Sequence, residues 1–546
     1  MPAPAPSGPP APTTPITGGE ALVRALAAHG VTRIFGIPGT HNLEIYRHLA
    51  AHRIEHINPR HEQGAGYAAD AYARASGRPG VALTTTGPAL LNIAAAVGQA
   101  YSDSVPLLVV SPGMPLRHPR QSTGLLHETR SQTEALRGVA AVSHRVSSVE
   151  EIGVAVARAF TLFRTRRPRP VHIEVPLDLL TAAEPAGPVR TAPPVPPVAA
   201  DPRAVAEAAG ALWAADRPGI VLGGGARGAA AECLRLAELL DAPVVTSANG
   251  KGIVPESHPL ALGVSLHSPA VQRWLAERDV VLAVGTELAE SDLWTSPPAL
   301  GGTLVRADLD PAQMYAGLPA GIPLVGDARP TLRALLAALP ALPAPPGRAG
   351  AHRTVAALRA ERDAATRELD GHLLPYLAAM RSVLPADTVL TSDSAQCCYN
   401  GALPHLPVGP EGRYLHPTGF GTLGYALPAA IGAKAADPDR TVVALSGDGG
   451  LQFSVQELAT AVQLGLPLPV VVFDNGGYGE IRDEMAARGD RPTAVDLPPV
   501  DLPALARAYG GHGVRADSPE ALAEALRHAL DTQGPTLITV PEEPSR

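Results

Sequence analysis

Aromatic side chains are scarce in this chain, 4% of 546 residues, and charged residues supply only 18%, against the roughly 25% of an ordinary soluble domain. So thin a charged coat suits an assembly that hides much of its surface against copies of itself. Cysteine is nearly absent as well. Cys233, Cys397 and Cys398 are the only three, the last two being neighbours, which excludes a disulfide framework and zinc-ligand spacing and fits a reducing, cytoplasmic setting. No apolar run reaches the ~18 residues of a membrane span, and the opening MPAPAPSGPPAPTTP has neither the charged nor the apolar region of a signal peptide. Residues 1–15 are expected to form a disordered tail, and a membrane is not an expected partner. Nor is nucleic acid: the formal net charge is -8 and Lys and Arg form no stripe, so nothing would displace counterions from a phosphate backbone.

What is present is alternation. Short β-branched or Leu-rich runs alternate with Ala-rich stretches along the whole chain, the pattern of parallel sheets covered by helices on both faces. A single hydrophobic core stops growing near ~250–300 residues, and two Pro-rich stretches, Glu184 to Pro197 and Pro340 to Pro346, are the natural cuts. The fold class is α/β. Three doubly wound parallel-sheet domains are expected, at 16–183, 198–339 and 350–546.

The segment SGDGGLQFSVQELATAVQLGLPLPVVVFDNGGYG puts polar residues where two buried strands end. In a parallel sheet those ends open into a crevice, the usual ligand site of such folds, and Asp448 and Asn475 are expected to project there. Ser454 and Glu457 have capping-box spacing, so the helix between the strands should begin just after the Gly-rich turn, with Gly449 and Gly450 offering N–H groups to a phosphate. An Asp carboxylate, an Asn carbonyl and the carbonyl of Gly477 are hard oxygen ligands suited to Mg²⁺ that also holds phosphate oxygens. GDG alone is a common structural turn; with the rest of the segment attached it reads as a metal-diphosphate site.

This segment resembles the signature of the thiamine-diphosphate enzymes, GDG followed by a pair of Asn, the second of which lies 475 − 448, or 27, positions after the Asp. Asp474 stands where the first Asn would be, but the second is the family's metal ligand. PRHEQGAGYAADAYARASGRPGV is similar to the activating-Glu segment of the acetolactate synthase group. Read bare, Glu62 is an ordinary helix N-terminal acid; the resemblance makes it the carboxyl that bonds the cofactor's pyrimidine, and an apolar setting would raise its pKa. HPTGFGTLGYALPAAIGAK resembles the stretch that bends the cofactor, giving Gly421 a carbonyl contact to the aminopyrimidine and Leu423 the wedge between the rings. SDSAQCCYN resembles the diphosphate turn and places Ser394, Gln396 and Cys397 near the phosphates. The resemblance runs over nearly the whole chain in the order pyrimidine-binding, middle and diphosphate-binding domain. It implies a site shared between subunits, hence a homodimer at minimum, with a homotetramer expected, and an inactive monomer.

All such enzymes add the cofactor to a 2-oxo acid and lose CO₂, the cofactor acting as electron sink; a decarboxylase then protonates the enamine, whereas a synthase adds it to a second carbonyl compound. The FAD loop of acetolactate synthases reads GTELAESDLW here, without their Arg contacts, and GGGARG at 223–228 is a lone Gly turn, which together argue against FAD. GIPGTHNLEIYRHL, TGLLHETRSQ and NGGYGEIRDEMAARG look most like 5-guanidino-2-oxopentanoate decarboxylases. A guanidinium needs carboxylate partners, and Glu290, Asp292 and Glu480 are the candidates, with Glu287 and Asp483 beside them in sequence; ordinary surface charge is the competing reading. His127 falls where synthases carry a catalytic Gln and would relay the proton to the enamine, with His41 after the GIPG turn as second candidate. The alternative function is acetolactate synthase-like carboligation of two 2-oxo acids.

Overall fold

The computed structural model describes residues 15–118, 122–339 and 350–542. The expected tail falls outside these except for Pro15, and the second Pro-rich cut lies outside them altogether.

A short antiparallel pair joins β1 (Pro15–Thr17) to β8 (Ala183–Pro185), so the first Pro-rich stretch begins as a strand. The other strands form three six-stranded parallel sheets. The first contains β2 (Arg33–Gly36), β3 (Glu55–Ile57), β4 (Gly80–Leu83), β5 (Leu107–Gly113), β6 (Val142–Arg145) and β7 (Val171–Pro176), ordered β3-β2-β4-β5-β7-β6. The second contains β9 (Pro218–Leu222), β10 (Val244–Thr246), β11 (Ala261–Val264), β12 (Val280–Val284), β13 (Thr303–Asp308) and β14 (Ile322–Val325), ordered β11-β10-β9-β12-β13-β14. The third contains β15 (Val389–Ser392), β16 (Arg413–Leu415), β17 (Val442–Gly447), β18 (Leu468–Asp474), β19 (His512–Arg515) and β20 (Pro535–Pro541), ordered β16-β15-β17-β18-β20-β19. The first and third sheets therefore share one topology, while the middle sheet has the mononucleotide-type order in which strands run outward in both directions from β9 and β12. β5, β7 and β18 are buried almost throughout, β5 and β18 as nearly continuous apolar runs, as suits strands covered on both faces.

The first and third sheets share one core between them, while each keeps a further cluster on its other face. The helix Glu62–Ser76 lies against the helix Ala426–Ala436, and their small residues belong to one cluster that runs from Phe35 to Leu537. Gly432 makes the close crossing possible, since a Cβ there would collide with the carbonyl of Ala68. Buried polar groups cross the same seam: Tyr425 Oη donates to Asp70 Oδ1 at 2.6 Å, and Arg74, paired with Asp70 and Asp103, donates to the His416 carbonyl at 3.1 Å. The middle sheet has its own cluster.

Candidate active site

Adjacent strands β17 and β18 deliver the two metal-candidate residues to one sheet edge, with Gly447 paired to Phe473. Asp448 opens a one-turn helix, Asp448–Leu451, that presents Gly449 and Gly450 in its buried first turn. Burial first, and then the nearby Asp474 carboxylate, push the Asp448 carboxyl up to about 6. Asn475 Oδ1 stands 3.3 Å from Asp448 Oδ1 and 3.0 Å from the Gly477 carbonyl oxygen, three acceptors with no proton among them. Rotating the amide would let its NH₂ donate to both neighbours; a hard divalent cation would satisfy the same three oxygens without rotation. Gly477 has φ +147, and a Cβ there would collide with the Val495 carbonyl, so the chain folds back at this point only because the residue is glycine.

The turn after β15 closes over the same edge. Gln396 and Asn475 both lie against Gly479, and Gln396 Nε2 donates to Asp483 Oδ2 at 2.9 Å. Ser394 is half-buried, and its N–H donates to Asp393 Oδ1 at 2.9 Å. The Cys397 thiol turns the other way, into the apolar layer beside Cys398 with the Ser446 carbonyl as partner. The reason is the π-helical run Cys397–Ala402, which carries both thiols to the buried face; only the Cys397 backbone remains on the turn. Asp393, which the sequence reading missed, is the hub. Its carboxylate is 1% exposed and accepts from the N–H groups of Ser394 and Gly424 and from Ser446 Oγ, so it ties together the turn after β15, the 421–424 loop and the end of β17. Gly421 is exposed with φ +61, and Leu423 is half-buried beside it.

On the first sheet, the turn before Glu62 is held by the third domain. Glu457, 0% exposed, accepts from the N–H of Arg60 at 3.0 and 3.1 Å, from the N–H of His61 at 3.1 Å and from Thr460 Oγ1 at 2.7 Å. The expected capping box is therefore not made: Ser454 accepts no capping bond, because Glu457 leaves its own helix to fill the gap that Gly64 leaves open. Glu62 itself is half-buried, with Asn92 Nδ2 donating to its carboxylate at 2.9 Å. The two candidate histidines, read separately in the sequence, come together. Thr86 Oγ1 lies 2.6 Å from His41 Nδ1 and 3.2 Å from His127 Nδ1. His41, Glu62 and Thr86 follow β2, β3 and β4, so all three sit on the C-terminal edge of one sheet.

Comparison with known proteins gives these placements a family. Models described as the N-terminal TPP binding domain, central domain and C-terminal TPP binding domain of thiamine pyrophosphate enzymes match residues 16–135, 205–335 and 396–540. A Pseudomonas aeruginosa protein named probable 2-ketoarginine decarboxylase AruI is 43% identical over 96% of this chain and 94% of its own length. The chain belongs to the thiamine pyrophosphate enzymes. Further similar proteins are the probable acetolactate synthase large subunit of Methanocaldococcus jannaschii, 33% identical over 97% of this chain and 92% of its own, and the acetolactate synthase large subunit of Parasynechococcus marenigrum, 34% identical over 96% and 87%. As in the family models, the two cofactor-binding domains are the first and third, the pair that share a topology here. The donor set fits thiamine diphosphate: unprotonated oxygens for a cation, N–H groups beside them for a diphosphate, and a carboxyl on the other binding domain.

The acids expected to meet a cationic substrate do not all meet. Glu287 is taken up by Arg167 at 3.2 Å and Arg169 at 2.6 Å, Asp292 accepts from the Ala248 N–H at 2.9 Å, and Glu290 is exposed. Glu287 and Asp292 line a crevice of about 490 Å³ at the switch point of the middle sheet, where burial pushes the Asp292 carboxyl up to about 7. Arg167 also pairs with Asp308 in this crevice. Glu480, by contrast, stays at the cofactor edge, accepting from Tyr399 Oη at 2.7 Å, and Trp294 packs edge-on to Tyr399 at 5.8 Å. The middle-domain loop thus sends an aromatic ring, not an acid, toward Glu480.

Proposed function

We propose that this thiamine pyrophosphate enzyme is a Mg²⁺-dependent, non-oxidative decarboxylase that converts 5-guanidino-2-oxopentanoate to its aldehyde and CO₂. The observation that carries the substrate is the Glu480 carboxylate, held by Tyr399 beside Trp294 and three positions beyond Gly477. A planar cation is matched by a carboxylate, Tyr399 fixes this one through its hydroxyl, and Asp483 is within one turn of the same helix, Gly479–Ala487. The 43% identity to a protein whose name specifies 2-ketoarginine supports the same choice.

Each residue then has a task. Asp448, Asn475 and the Gly477 carbonyl hold the cation, while Gly449, Gly450, Ser394, Gln396 and the backbone at Cys397 receive the diphosphate. Glu62 holds a proton at the pyrimidine, Gly421 and Leu423 shape the cofactor's bend, and His127 and His41 handle the proton that replaces CO₂. Bound thiamine diphosphate supplies the electron sink at the carbon that loses CO₂. Because Glu62 and Asp448 serve one cofactor from different subunits, the active species is a homodimer or a homotetramer built from it, working in the reducing cytoplasm. No flavin takes part, in keeping with the loop GTELAESDLW, which lacks the Arg contacts of the acetolactate synthase FAD loop.

The test is product analysis with thiamine diphosphate and Mg²⁺ on pyruvate, benzoylformate, branched-chain 2-oxo acids and 5-guanidino-2-oxopentanoate. Selective turnover of the guanidino acid to its aldehyde is expected. Acetolactate from pyruvate, with no aldehyde from the guanidino acid, would make the enzyme a carboligating synthase.

A further inference from the structure

Replacing CO₂ by hydrogen consumes one proton: R–CO–COO⁻ + H⁺ gives R–CHO + CO₂, with one C–C bond broken and one C–H bond formed. Three residues near the edge that carries Glu62 are linked by hydrogen bonds that can pass a proton. Thr86 is 0% exposed, and its Oγ1 lies between His41 Nδ1 at 2.6 Å and His127 Nδ1 at 3.2 Å, the rings being 5.5 Å apart and nearly perpendicular. A hydroxyl has one proton and can donate to only one of two neutral imidazoles. The other imidazole must then donate to the oxygen, so the two tautomers are tied to each other in opposite senses.

We propose that His41, Thr86 and His127 form one proton relay and that Thr86 is its positioning residue. At rest His41 Nδ1–H donates to Thr86, Thr86 donates to His127 Nδ1, and His127 bears its proton on Nε2. As His127 releases the Nε2 proton to the substrate carbon, the Thr86 proton moves to His127 Nδ1, the His41 Nδ1 proton moves to Thr86, and His41 Nε2 takes one from solvent. One proton enters and one leaves; no group is left charged. The surroundings fit this. Burial, and then the proximity of His127, lower the His41 pKa from its ordinary value, which favours the neutral ring this order uses. His127 is kept in place at φ +61, a conformation that costs a non-glycine residue about 1–3 kcal/mol, on a loop whose neighbours Leu125 and Leu126 are exposed. Gln132 anchors the turn after Thr86 by accepting from the Gly87 N–H at 2.7 Å and donating to the Pro112 carbonyl at 2.7 Å.

The inference rests on the decarboxylase reading, and the experiment separates the two. Aldehyde and CO₂ are measured for the holoenzyme and for T86V, T86S, H41N and T86V/H41N in mixtures of H₂O and D₂O. T86V is expected to lower kcat for aldehyde about 100-fold, the ordinary worth of a positioned acid–base group, with KM within about twofold; T86S should recover most of the loss. The double variant should be no slower than the slower single one, and the bowed dependence of rate on deuterium fraction should become linear without the hydroxyl. Circular dichroism and the dissociation constant for thiamine diphosphate confirm that the variants fold and load. A T86V enzyme that keeps a third or more of its kcat, or additive losses in the double variant, would overturn the relay. If the parent enzyme releases CO₂ but makes only a carboligation product, the decarboxylase reading fails instead, whatever T86V does.

Discussion

Changing Glu457→Ala should show that a residue of the third domain sets the position of Glu62 on the first. The buried carboxylate accepts from two main-chain donors, the N–H groups of Arg60 and His61. A hydrogen bond to a charged group is worth about 1.5–3 kcal/mol, so the pair gives roughly 3–6. The emptied space adds a cavity cost, and removing a carboxyl whose pKa is raised, chiefly by burial, returns part of it. A net loss of about 3–4 kcal/mol follows, or about 6–8 °C in thermal midpoint at ~2 °C per kcal/mol for a unit of this size. Glu457→Gln keeps one oxygen for both donors and can turn its amide to Thr460, so it should cost about 1 kcal/mol. Displacing the turn also displaces Glu62, and an ångström of misplacement is worth about 100-fold in rate. Differential scanning calorimetry and kcat would be measured for both variants with saturating cofactor. Equal midpoints for the Ala and Gln variants, or an Ala variant with full kcat, would refute the reasoning.

Three further outcomes are expected. Burial pushes the Asp393 carboxyl from 3.8 up to about 6, so the folded chain holds a proton that the unfolded chain has lost; its share of apoprotein stability should fall by about 3 kcal/mol as pH rises from ~4 to ~6, and Asp393→Asn should reduce the fall seen in urea titrations at each pH by that amount. Gly477→Ala forces a Cβ into the Val495 carbonyl at φ +147, so it should cost at least about 1–3 kcal/mol and weaken thiamine diphosphate binding tenfold or more by isothermal titration; unchanged binding would remove Gly477 from the site. Glu480→Gln should raise KM for the guanidino acid about 10–100-fold, the worth of a charge-assisted bond, and leave KM for a neutral 2-oxo acid of equal length unchanged; equal shifts for both would detach Glu480 from the guanidinium.

Much of the site was legible because its parts are local in sequence. Asp448, Asn475 and Gly477 fall at the ends of two apolar runs and inside one segment, so period and spacing reveal them together. Glu62 was singled out by the resemblance of its segment, since a lone acid at a strand-to-helix junction reads as an ordinary helix N-terminal residue. Glu457 was misread because its spacing from Ser454 satisfies a capping rule, whereas its real partners are 397 and 396 positions away, a separation that leaves no periodic trace. Asp393 was passed over because a buried carboxylate bonded to three donors looks, in sequence, like any turn Asp. Cys397 was assigned to the cofactor on its place in the turn, and the π-helical winding that points its thiol inward is not written in residue type. The alliance of His41 with His127 depends on Thr86, an unremarked hydroxyl in a run of three threonines.

The core shared by the first and third sheets has a consequence for how the chain is made. Asp70 and its partner Tyr425 are 355 positions apart. At ~5–20 residues per second, synthesis takes roughly 20–70 s to span that distance. For that time the Ala-rich face of the helix Glu62–Ser76 has nothing to pack on, while the middle sheet, with a core of its own, can already close. Nascent chains should therefore pass through a stage in which the central third is folded and the leading third is still sticky, which makes chaperone supply, more than final stability, the condition for a good yield.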